Sequence, residues 1–166
     1  MHSLAGYSML ILFAGAVAFA QPQQATSPAD RVSRYFTGVN KQVLEMAKDF
    51  PEDKYGFKLK PEMRSFGEVI VHVASGNVYA SKAGRGEQVK WDELDPTKYK
   101  TKAEFVAMLE KSIDDATAAM KASPEGPKKN LEPWLAVMQH SSEHYGLLVT
   151  YYRANGLVPP ASRPQK

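Results

Sequence analysis

Ser65-Phe66-Gly67-Glu68-Val69-Ile70-Val71-His72-Val73-Ala74 is the stretch on which the fold class turns. Its β-branched residues, Val69, Ile70, Val71 and Val73, allow a strand when taken alone. Two features select a helix instead. Ser65 and Glu68 stand at capping-box spacing, where a hydroxyl and a carboxylate satisfy the free N–H groups of a first turn. No strict alternation of apolar and polar residues then runs from Glu68 to Ala80. Phe66, Val69, Val73 and Ala74 form an inner face, with His72 on it or beside it.

Outward from this segment the chain repeats the pattern. Ser27-Pro28-Ala29-Asp30 is a helix start, followed by Val32, Tyr35, Phe36, Val39, Val43, Met46, Ala47 and Phe50 at steps of three and four until Pro51 closes the helix. Thr101-Lys102-Ala103-Glu104 is another capping box, leading Phe105, Met108, Leu109, Ile113, Ala116 and Met120. Ser123, Pro124, Gly126 and Pro127 break the chain before Asn130, which is suited to cap a last helix with Pro133 in its first turn. Trp134, Val137, Met138, Leu148 and Tyr151 face inward there, Trp134 as a packing residue, and Gly156 and Pro159-Pro160 end the helix. Four amphipathic segments without repeats predict an all-α four-helix bundle. Residues 83–100 exceed the roughly 2–8 residues usual between bundle helices, so this connection is expected to cross the bundle or cover one end.

Residues 4–20 are apolar or small and carry no charge, and Ala18-Phe19-Ala20 is a small-x-small cleavage site. Residues 1–20 are therefore expected to be a signal peptide, with a flexible start over 21–27, the helical domain over 28–160 and a tail over 161–166. The apolar run falls at or below the roughly 17–25 residues that span a bilayer, which argues against a retained membrane anchor. The protein is expected in the periplasm or secreted. The 166 residues contain no cysteine, which excludes disulfides, thiolate nucleophiles and cysteine-held metals. A net charge of +3, without a basic stripe or interleaved aromatics, gives no nucleic-acid surface.

Of the four histidines, His2 lies in the leader, leaving His72, His140 and His144. Residues four apart share a helix face, so His140 and His144 can grip one ion, and an imidazole from a facing helix would complete a three-nitrogen set. The simpler account is a hydrogen-bonded pair and a satisfied core histidine. Against it, each histidine sits among the apolar positions of its helix, where an imidazole without a partner is costly. In a metal site each ring would ligate through one nitrogen and give the other to a second hydrogen bond. His140-Ser141-Ser142-Glu143-His144 also matches the H-x-x-E-H pattern of inverted zinc proteases, but no Asp or Glu follows Glu143 to supply their further acidic ligand. Peptidase activity is not expected.

With Phe66 to Ala74, His140 to Gly146 and Gly156-Leu157-Val158-Pro159-Pro160 in this order, the sequence resembles the DinB-like family of metal-dependent four-helix-bundle proteins. The resemblance maps the family's three histidines onto His72, His140 and His144, and implies a bound zinc or nickel ion and frequent homodimers. It implies an enzyme of one of two kinds, hydrolytic or transferring a small thiol to an electrophile, acting on an unidentified small molecule. Glu143 and Tyr145 are the candidates to assist proton transfer. A leader sequence departs from the usual cytosolic members and weighs against a cytosolic thiol. The alternative is a non-catalytic extracytoplasmic metal- or ligand-binding protein. Tyr151, Tyr152 and the other aromatics of the last helix exceed one inward stripe, and are expected either to serve a two-fold homodimer or to cover the long connection.

Overall fold

The computed structural model describes residues 27–122 and 130–164. The expected leader and cleavage site and the breakers Ser123, Pro124, Gly126 and Pro127 lie outside the described residues, as does the end of the tail.

Among the described residues there are four long α-helices and no strand: α1 (Pro28–Asp49), α2 (Phe66–Gly84), α3 (Lys102–Ala122) and α4 (Glu132–Ala154). The expected caps explain three of the starts. Ser27 with Asp30 and Ser65 with Glu68 form complete capping boxes, and Thr101 and Glu104 exchange the same pair of hydrogen bonds. The fourth start differs. Asn130 accepts a hydrogen bond from the Glu132 N–H at 3.1 Å, but α4 begins one residue later than a cap at Asn130 would set, with Leu131 at its boundary. Gly86 (φ 83°) and Gly156 (φ 70°) take left-handed conformations just beyond α2 and α4, where a side chain would be strained.

The β-branched run of α2 stays helical because that helix is wrapped on nearly all sides. Val69, Ile70, Val71, Val73 and Ala74 are all fully buried, and α2 packs against both α3 and α4. A helix buried all round needs no polar stripe, which is why its periodicity was weak. Helix α1 in turn packs against α3 and α4, so α1 and α2 stand diagonally across the bundle.

Contacts along the helices fix their directions. Gly67 meets Phe105, Asn77 bonds to Ser112 and Ser81 to the Asp115 carbonyl, so α2 and α3 run parallel. Phe36 meets Trp134 and Phe50 meets Tyr152, so α1 and α4 also run parallel. Joining two parallel helices requires a return along the bundle. The 19 residues of α2 span about 28 Å at 1.5 Å each, a distance that a tight turn cannot bridge. Residues 85–101 make this return and lie along α2, where the length of the connection had suggested only that it crosses the bundle or covers one end.

The core has two apolar clusters. The larger includes Phe50, Tyr55, Phe66, Leu109, Leu148, Tyr151 and Tyr152; the smaller gathers Phe36, Ala80, Ala116, Met120, Trp134 and Val137. Trp134 is fully buried with its ring edge-on to Phe36, a packing role as expected. Asn40, Asn77 and Ser112 are buried as well and linked to one another, Asn77 donating to Asn40 at 3.0 Å and to Ser112 at 3.3 Å. Tyr151 and Tyr152 are fully buried within the single chain. Tyr151 donates to the Arg64 carbonyl and Tyr152 to the Met46 carbonyl at 2.8 Å. Their surplus aromatic area is thus spent inside the subunit and gives no support to an interface between copies.

Candidate metal centre

His72 projects from the middle of α2, and His140 and His144 from successive turns of the antiparallel α4. Offering one ring nitrogen each, the three place those atoms within 4.8 Å of one another. His72 Nε2 and His140 Nε2 are 3.0 Å apart. Ring centroids lie 4.7 Å apart for His72–His140 and for His72–His144, and 4.4 Å apart for His140–His144. All three are partly buried.

The surroundings of His140 and His144 favour the neutral ring. Burial is the main cause that lowers the His140 pKa to about 3, helped by His144, His72 and the Arg64 guanidinium. Burial also leads the lowering of His144, followed by His72 and Arg64, while Glu143 and Glu93 oppose it. Neutral imidazole is the form that binds a metal.

His72 Nδ1 lies 2.9 Å from Glu93 Oε1, and a carboxylate can only accept there. His72 therefore carries its proton on Nδ1 and turns the Nε2 lone pair inward. With a neutral His72, the hydrogen between the two rings is supplied by His140 Nε2. The Nδ1 atoms of His140 and His144 are buried without a hydrogen-bond partner. The expectation that every ring gives its second nitrogen to a hydrogen bond thus holds for His72 alone.

Gly76 makes the approach of α4 possible. A Cβ there would meet the Trp91 ring at 2.9 Å and His140 Nδ1 at 3.1 Å. Three convergent nitrogen donors and a helix surface cut away beneath one ring together fit a divalent metal ion.

The other two candidate residues are not drawn in. Glu143 is exposed and accepts from Gln139 at 3.1 Å; its charge acts on His144, but it forms no hydrogen bond to the triad. Tyr145 follows His144 by one residue, about 100° further round the helix. It lines a cleft between α1 and α4 with Arg34, Tyr35 and Met138.

Sequence reasoning missed three neighbours. Trp91 packs against His72 and His140, at centroid distances of 5.8 and 4.9 Å. Glu93 holds His72, and Arg64 Nη2 donates to the other Glu93 oxygen at 3.2 Å. Two of the three belong to the connection 85–101, whose excess length was the available signal. The larger clefts lie elsewhere on the bundle; a hollow of about 240 Å³ lined by Met63, Arg64, Glu93 and Pro96, among others, reaches Glu93 but is lined by none of the three histidines.

The sequence model of the DinB superfamily matches residues 35–148, a span that contains all three histidines. No curated protein matches the chain.

Proposed function

The chain belongs to the DinB superfamily, and from that premise we propose that it is a divalent-metal-dependent enzyme acting on a small electrophile. The incoming group is water or a small thiol. The observation that carries this reading is the convergence of His72, His140 and His144, three imidazole donors on two helices. A divalent ion at such a set supplies Lewis-acid chemistry, polarising an electrophile and lowering the pKa of a water or thiol that meets it.

The chain's own residues supply the rest. The three imidazoles would hold the ion, and Trp91 packs against His72 and His140. Arg64 is about half exposed and its charge is felt at His140 and His144, so it favours negative charge developing beside the triad. Of the two candidate proton carriers, Glu143 exerts its charge on His144, while Tyr145 lines the cleft between α1 and α4.

The reading is tested by assaying the purified, metal-loaded protein on activated esters and on alkylating electrophiles, each with and without an added small thiol. Turnover that requires the ion, and falls to background in H140A, is expected. Thiol dependence separates transfer from hydrolysis. A loaded protein without turnover on any of these would instead support a non-catalytic metal-binding role.

We also place the protein outside the cytoplasm, on the strength of the uncharged apolar run at residues 4–20 and the Ala18-Phe19-Ala20 site. The intact mass of protein recovered from the periplasm or medium should correspond to a chain starting at or near Gln21. Recovery of a chain that retains residues 1–20 would refute cleavage. A homodimer remains a proposal resting on the family resemblance.

A further inference from the structure

Glu93 is twenty-one positions from His72 in sequence, in a segment without helical period, yet both its carboxylate oxygens are committed. Oε1 accepts from His72 Nδ1 at 2.9 Å and Oε2 from Arg64 at 3.2 Å. Arg64 is itself tied to α4, the helix of His140 and His144, because its backbone carbonyl accepts the Tyr151 phenol. Next to Glu93, the Leu94 N–H donates to Ser75 Oγ at 2.9 Å, one turn along α2 from His72. Two residues before Glu93, Trp91 lies against Tyr79, His72 and His140. The segment 91–94 is therefore docked on α2 at the histidines.

As an ion pair the Arg64–Glu93 contact does little for the fold. Its side chains are 48% and 36% exposed, and pairs of that kind contribute little to stability. Its consequence lies at the ring. A carboxylate on Nδ1 fixes the tautomer, fixes the plane of the imidazole and raises the basicity of the opposite nitrogen. Glu143, the carboxylate adjacent to His144 in sequence, performs no such task, being bonded to Gln139.

We propose that Glu93, braced by Arg64, is a positioning residue of the metal centre: it holds the His72 Nδ1 proton, presents His72 Nε2 to the ion, and so makes docking of the connection between α2 and α3 part of ion binding. This rests on the reading of the triad as a metal site. The same geometry assigns R64Q a smaller effect than a change at Glu93, since Arg64 acts one bond further away. It also makes Glu93→Gln more telling than Glu93→Ala, because the amide keeps the volume and the hydrogen-bond acceptor while removing the charge.

The test compares the wild-type protein with E93Q, E93A and R64Q by two readouts. Zinc and nickel affinity is measured by chelator competition, and the His72 tautomer by ¹⁵N long-range spectra of the metal-free protein. The expected result is an Nδ1-protonated His72 in the wild type, a loss of affinity of about 10–100-fold in E93Q, and a mixed or inverted His72 tautomer in E93A. Thermal midpoints should stay close to that of the wild type; if E93A does not fold, E93Q and R64Q decide the matter. Wild-type affinity in E93Q together with an unchanged tautomer in E93A would overturn the proposal. Should the wild type bind neither ion, the metal reading fails, and the coupling of Glu93 to ion binding fails with it. The tautomer comparison would then still establish or refute the narrower claim that Glu93 orients His72.

Discussion

Metal analysis is expected to find one divalent ion per wild-type chain and almost none in H72A, H140A or H144A. Each substitution leaves two protein donors where three converge within 4.8 Å. Loss of a group that merely orients a ligand costs about 10–100-fold in affinity, so loss of the ligand itself should exceed about 100-fold. The dependence on pH follows from the protonation of the rings. An ordinary histidine takes up its proton near pH 6.5, which would displace an ion just below neutrality. Burial lowers His140 to about 3 and also lowers His144, so protons compete with the ion less well at these two rings. Retention should persist below pH 6.5 and fade only in more acid solution. Equal metal content in the wild type and all three folded variants would end the metal-centred account without touching the bundle.

Phe66→Ala should be the most damaging single change in the larger core cluster. The ring is fully buried, stacked on Phe50 at 3.8 Å and met edge-on by Tyr55, Tyr151 and Tyr152. Removing a buried phenylalanine costs about 3–5 kcal/mol, a large part of the roughly 5–15 kcal/mol by which domains are stable. At about 2–4 °C per kcal/mol for a chain of this size, the thermal midpoint should fall by roughly 10 °C. Urea unfolding of F66A beside the wild type measures this directly. A loss below about 1 kcal/mol would mean that the aromatic cluster around Phe50 is not a cooperative part of the core.

The bundle was legible in the sequence because its helix starts are local. Ser27, Ser65 and Thr101 each act within three residues of themselves, and the pattern survives whatever packs above it. The three histidines were legible for a related reason, two of them being one turn apart on a single helix. What could not be read came from tertiary packing. Nothing near Trp91 or Glu93 in sequence indicates that the chain must return along α2; that necessity appears only once α2 and α3 are known to run parallel. Tyr145 and Glu143 attracted attention through their places beside His144, but adjacent residues on a helix point about 100° apart. The same limit applied to Tyr151 and Tyr152, whose inward partners lie 87 and 106 residues away.

Gly76 ties three positions into one evolutionary unit. A glycine inside a helix forgoes roughly 0.5–1 kcal/mol relative to alanine, so drift toward alanine at position 76 would ordinarily be rewarded. Here the added methyl group would strike the Trp91 ring and press on His140 Nδ1. A lineage that accepts this methyl must shrink residue 91 or withdraw residue 140, and the second course gives up a metal donor. Among descendants of this sequence, a side chain at position 76 should therefore be accompanied by a change at 91 or at 140, and only the first course gains helix stability while keeping all three histidines.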